Sequence, residues 1–166
     1  MIYAANNGCV LEYDGKDWRI IQVPKFVVRS LDIDRNGTVY VGGTKEIGYL
    51  APDEKGNLRY KSLINFFKEE KQREFKSVFE THCTPKGIYF RTQWHLFRWE
   101  NDRNKMTVIT PGLKLKKPFC WKSQYYVHIR EKGLMIVQGD RLHLAPGGDR
   151  LTDKKIYFVA SHDSKD

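Results

Sequence analysis

The 166-residue chain reads as an all-β protein, a partial β-propeller of about three and a half four-stranded antiparallel blades. Three observations carry that reading. Polar turns ending in glycine repeatedly precede short β-branched or aromatic runs. Asp34-Arg35-Asn36-Gly37 leads into Thr38-Val39-Tyr40-Val41-Gly42-Gly43, Thr84-Pro85-Lys86-Gly87 into Ile88-Tyr89-Phe90-Arg91, and Arg130-Glu131-Lys132-Gly133 into Leu134-Met135-Ile136-Val137. The three glycines lie 50 and then 46 residues apart, a spacing in the range of propeller blades. The composition, 40% hydrophobic and 30% charged, is that of a folded soluble chain, and no apolar run approaches the length of a membrane span.

The first unit, residues 1–24, is incomplete. Ile2-Tyr3-Ala4-Ala5 reads as a second strand already under way, Asn6-Asn7-Gly8 as its exit turn, and Val10-Leu11-Glu12-Tyr13 as a third strand. Asp14-Gly15-Lys16 is then a tight turn, and residues 18–23 a fourth strand. An inner strand would lie upstream, so the chain is expected to be a piece of a longer one. Residues 25–64 form a complete unit with strands at 27–34, 38–43, 47–50 and 58–63, the last two joined by the turn-rich run 51–57. Residues 65–112 repeat it with strands at 75–80, 88–92, 95–99 and 106–110. Residues 113–166 repeat it again with strands at 125–129, 134–138, 141–144 and, less clearly, 156–160.

Two connections exceed hairpin length. Residues 64–74 alternate in charge and are expected to form one or two helical turns. Residues 111–122, with Pro, Gly, four lysines and two aromatics, read as an irregular loop. Either loop could carry binding on a rigid β scaffold, or simply space the units.

Composition and motifs exclude several function classes. The net charge is +9, but the basic residues are scattered among Asp and Glu, which reads as a solvated surface. A face attracting an anionic ligand is the competing reading, and nucleic-acid binding by this segment is not expected. Cys9, Cys83 and Cys120 form no Cys-x-x-Cys pair, so neither a zinc site nor a redox dithiol is expected. There is no Gly-x-Ser-x-Gly elbow, phosphate loop or His-Glu-x-x-His, and the five histidines are never paired at ligand spacing. Asp34-Arg35-Asn36-Gly37 faintly resembles a calcium loop but lacks the later acidic ligand, so it reads as a turn. No catalysis, cofactor or metal is expected.

The motifs Ile2-Tyr3-Ala4-Ala5-Asn6-Asn7-Gly8, Leu11-Glu12-Tyr13-Asp14-Gly15 and Trp18 resemble the opening of the two-component regulator propeller. Val28-Arg29-Ser30-Leu31, Asp34-Arg35-Asn36-Gly37, Val39-Tyr40-Val41-Gly42-Gly43 and Glu46-Ile47-Gly48-Tyr49-Leu50 resemble its next repeat. The likeness spans residues 2–63, weakens to strand pattern and glycine turns over 75–148, and fades beyond. Cys9-Val10 stands where such repeats usually have Gly-Leu, which bears only on local packing. The resemblance implies a periplasmic sensor region that binds a ligand, often a glycan fragment, and signals through the membrane. In that family it precedes a β-sandwich module, a membrane helix, and a kinase or DNA-binding output. Any membrane contact would run through those downstream parts. No catalytic residues come with it.

In a propeller, turns between second and third strands share one face with the blade-to-blade connections. That face is expected to present Asn6, Asn7, Lys45, Glu46, Gln93, Trp94, Gln138 and Asp140, with Lys25 and Phe26, part of Phe66 to Arg73, and Lys116 to Trp121 from the connections. Amides, charges and flat aromatic rings suit an oligosaccharide or another small ligand. Trp18 and Trp99 read as packing residues, Trp94 and Trp121 as candidates for either an exposed, functional role or packing, and His95 as structural. The open first and last units are expected to pair with the parent's remaining blades or with a second copy, through the strand at 2–5 or that at 156–160. An interaction scaffold without a small-molecule site is the alternative reading.

Overall fold

Runs such as Val39-Tyr40-Val41 and Ile88-Tyr89-Phe90 are apolar at every position rather than every second one. A strand of that kind must bury both of its faces. The computed structural model describes residues 1–159, and it is all-β, with antiparallel sheets that achieve this by stacking face to face in chain order.

The first sheet is five-stranded: β1 (Ile2–Tyr13), β2 (Trp18–Ile33), β3 (Val39–Gly43), β4 (Glu46–Pro52) and β5 (Leu58–Ser62). It folds into two layers because β2 serves two neighbours. Residues 18–22 pair with β1, and residues 28–33 pair with β3. Between them the register jumps from Cys9↔Gln22 to Asn7↔Val27, so that residues 23–26 stand opposite Gly8 alone. That excess length lets the ribbon bend. β1 also doubles back. The Tyr3 hydroxyl donates to Glu12 Oε1 at 2.8 Å, whereas nine extended residues would span about 30 Å. The reversal falls at Asn6-Asn7-Gly8, where Gly8 takes φ +79°, in agreement with the turn expected there.

The third layer is the meander β6 (Glu80–Thr84), β7 (Gly87–Arg91), β8 (Leu96–Glu100) and β9 (Lys105–Ile109). The fourth is β10 (Leu115–Trp121), β11 (Gln124–Ile129), β12 (Gly133–Gln138) and β13 (Arg141–Leu144). A core fills each of the three gaps. Val10, Ile21, Val28 and Val41 lie between layers one and two. Tyr40, Ile47, Phe90, Phe97 and Trp99 lie between two and three. Tyr89, Leu96, Tyr125 and Val127 lie between three and four. On β7, Ile88 and Phe90 therefore face one gap and Tyr89 the other. The connection after β5 carries short 3-10 turns at Ile64–Phe66 and Glu70–Arg73, close to the helical turns expected from its charge pattern.

Three expectations are corrected. The strand placed at 75–80 is found at Glu80–Thr84. Phe75 and Val78 are consumed by the core between layers two and three, and Ser77 makes only an isolated bridge to Thr44. The run 111–122, read as a loop, contains β10. Pro118 is tolerated there because β10 is an edge strand with β11 as its one ladder partner. The turn that follows uses Lys122 (φ +46°) and Ser123 (φ +59°) instead of glycine. Gly133 therefore opens the third strand of its layer, whereas Gly37 and Gly87 mark the second strands of theirs. Finally, residues 154–159 form no strand, with Tyr157 and Phe158 largely exposed, and Ala160 lies outside the described residues.

Candidate functional site

The layers share a direction, and this decides which turns meet. Ser30 Oγ lies 2.8 Å from Thr81 Oγ1, and the Cys83 N–H donates to Asp32 Oδ2 at 2.6 Å. The edge strands β2 and β6 thus run parallel side by side. Lys86 Nζ donates to Gln124 Oε1 at 2.6 Å, which aligns the first turns of layers three and four in the same way. One end of the stack accordingly gathers the turns at 34–38, 84–87, 100–105, 121–124 and 138–141. The other gathers those at 43–46, 92–95 and 129–133, together with the connections between layers.

A concavity of 680 Å³ opens at the first of these ends between layers two and three. Its rim carries Asp34, Arg35 and Asn36 from one turn, Thr84, Pro85 and Lys86 from the next, and Asn101, Asp102 and Arg103 from the β8–β9 turn. Tyr40, Cys83, Arg98 and Trp99 form its deeper wall. Asp34 is committed to shaping its own turn, its Oδ1 accepting the N–H groups of Asn36 and Thr38 at 2.9 Å. This is the geometry of an Asx-type turn, in keeping with the turn reading of that motif. Arg98 is held by Glu100 (2.9 Å), Asp140 (2.8 Å) and the Gly139 carbonyl. Burial disfavours its charge, but the bonds to Glu100 and Tyr89 outweigh this and raise its pKa further. Glu100 also receives Arg103 at 3.4 Å. Arg98 Nε and Trp99 Nε1 are buried without a partner among the described residues. Burial and then the Asp32 and Asp34 charges push the Cys83 thiol far above its usual range, so it is not poised as a nucleophile.

The residues expected to form one face are divided. Asn7, Lys45 and Glu46 do converge, lining a 390 Å³ depression with Pro24, Phe26, Val27 and Thr44. Gln93 and Trp94 lie at that same end, in the β7–β8 turn, with Trp94 44% exposed and Lys114 Nζ 5.4 Å from its ring centroid. Asn6 accepts the N–H of Asn7 at 2.7 Å in the neighbouring turn. Trp121, Gln138 and Asp140 are at the opposite end, because β10 shifts every later strand of that sheet by one place. The Lys25 side chain lies outside what the structure describes.

No family model matches the chain. No curated protein matches it either.

Among other residues singled out, Trp99 is buried as expected and Trp121 is exposed. His95 is structural, its Nδ1 2.8 Å from Thr110 Oγ1 and its ring stacked on Phe97. Trp18 is corrected. It is 56% exposed and stacks on Tyr13 at 4.8 Å instead of packing in a core. Sequence reasoning missed Arg35, Asn36, Lys86 and Asn101 as candidates, although two of their turns are the repeat markers themselves. Turns that precede the second strands of successive layers converge at one end of a parallel stack, and for the turns at 34–37 and 84–87 that was the available signal.

Proposed function

We propose that the chain is a non-catalytic, ligand-recognising sector of an extracytoplasmic sensor, a partial propeller of the two-component regulator type. The observation that carries the reading is the cleft between layers two and three. It joins two amides (Asn36, Asn101) and three cationic side chains (Arg35, Lys86, Arg103) from separate turns over a wall containing Tyr40 and Trp99. Convergent polar groups above an aromatic-lined concavity suit a hydroxyl-rich ligand such as an oligosaccharide. The stacking of sheets in chain order also supports the propeller reading, since a propeller blade buries both of its faces in this way.

The test is a thermal-shift and calorimetric titration against neutral and uronic-acid oligosaccharides. A ligand raises the melting temperature in proportion to the logarithm of its concentration. Arg35→Ala and Asn36→Ala should remove the rise, while Gln93→Ala should leave it intact. The opposite pattern would move the site to the end that carries Lys45 and Trp94. No shift with any sugar would count against the reading.

A second reading, an interaction scaffold, is favoured by one observation. The outward faces of the first and last layers carry large exposed apolar side chains, Trp18 and Ile20 on one and Trp121 on the other.

A further inference from the structure

Each internal layer buries two apolar faces, so a stack of four leaves one face over at each end. On the last layer the 3-10 turn Gly148–Leu151 covers the part around His128, whose Nε2 lies 2.8 Å from the Leu151 carbonyl, and leaves the Phe119, Trp121 and Tyr126 part open. On the first layer, the cross-strand pairs Tyr13↔Trp18 and Leu11↔Ile20 stand on the side away from Val10 and Ile21, which fill the first core. Trp18 is 56% and Ile20 63% exposed there. On the last layer, Phe119↔Tyr126 and Tyr126↔Ile136 form a row on the side away from Tyr125, Val127 and Val137. Phe119 and Tyr126 stack with centroids 5.0 Å apart, and Trp121, two residues along from Phe119, is 45% exposed. Isolated exposed apolar residues are ordinary, whereas aromatic rows across neighbouring strands mark a contact surface.

We propose that the outward face of the last layer receives the outward face of the first layer of a second copy, head to tail, continuing the stacking that holds the layers together within one chain. The internal contact between layers three and four supplies the template. There Arg98 on β8 reaches the β12–β13 turn of the next layer, at Gly139 and Asp140. On the last layer, Arg141 stands exposed at the corresponding end of β13. The first layer's turn at that end carries Asp14 and Asp17. Asp14 is occupied by Arg19 and two backbone N–H groups, which leaves Asp17, exposed, as the acidic partner for Arg141. Because the two faces differ, the contact is heterologous, and it closes into a ring or extends as a filament according to the angle between copies.

The inference rests on the scaffold reading alone, so the oligosaccharide titration can fail without affecting it. The test is sedimentation velocity of the whole chain from micromolar to hundreds of micromolar, for wild type, Ile20→Arg and Trp121→Arg. Both sites are exposed, and circular dichroism confirms folding. The expected result is concentration-dependent association of wild type and monomers for each variant alone. An equimolar mixture should recover a dimer, because one intact first face meets one intact last face. The milder pair Ile20→Thr and Trp121→Ser should weaken association without abolishing it. A monomeric wild type, or association lost in only one of the two variants, would overturn the head-to-tail arrangement.

Discussion

Asp32 Oδ2 accepts the backbone N–H of Cys83 at 2.6 Å, although the two residues are 51 positions apart. The bond fastens the edge strand of one layer to the edge strand of the next, using a backbone donor that β6 does not spend on its ladder. Asp32→Ala should leave that donor short of a partner and cost about 1–2 kcal/mol. Asp32→Asn, which keeps an acceptor oxygen, should cost less. Urea denaturation of the two variants checks the order, and equal losses would show that the carboxylate charge, not the acceptor, matters.

Arg98 plays the corresponding part between layers three and four. Its side chain is 10% exposed and Glu100's 17%, whereas Asp140's is 56%. Arg98→Met should cost about 2–3 kcal/mol, since it strips a buried carboxylate and the Gly139 carbonyl of their donor. Asp140→Ala removes a solvent-screened partner and should cost less than about 1 kcal/mol. Comparable losses in denaturant midpoint would mean that the half-exposed pair carries the contact.

The turn between β10 and β11 places Lys122 at φ +46° and Ser123 at φ +59°. Two left-handed residues in a two-residue hairpin is the arrangement that Asn-Gly adopts with least strain. The double substitution Lys122→Asn, Ser123→Gly should therefore stabilise the chain by about 1 kcal/mol. A lower melting temperature would show that Lys122, whose Nζ lies 4.7 Å from the Trp121 ring centroid, contributes more than the backbone loses.

Burial is the main cause holding the His82 imidazole below its ordinary pKa, outweighing the attraction of Glu80 and Asp32. An unfolded histidine protonates near pH ~6.5. Below that pH the unfolded chain binds a proton that the folded chain resists. Stability is therefore complete above it and declines as the pH falls toward the depressed folded value. Melting temperatures across mildly acidic pH should show this slope in wild type and a shallower one in His82→Gln. Burial lowers His95 too, so the slope should not vanish.

Much of the strand order was legible in the sequence. β3, β4, β5, β7, β8 and β9 lie within a residue or two of their expected positions, because each is a short apolar run bounded by turn formers. Two of the lapses share a cause. The turn at Lys122-Ser123 adopts left-handed conformations without glycine, and β10 carries Lys116, Lys117 and Pro118, residues that local propensity assigns to loops. β10 is a strand because Leu115, Pro118 and the face opposite Tyr125 and Val127 close the core between layers three and four.

The sequence by itself determined the all-β class, the recurrence of the turns and the double-sided burial of the middle strands. These follow from local pattern and periodicity. Only the tertiary structure decided which turns share an end of the stack. That depends on strand count, and one unrecognised strand reverses the end at which every later turn emerges. Trp121, Gln138 and Asp140 were carried in this way to the end opposite Lys45 and Trp94, and the cleft bounded by Arg35, Lys86 and Arg103 became the candidate site instead.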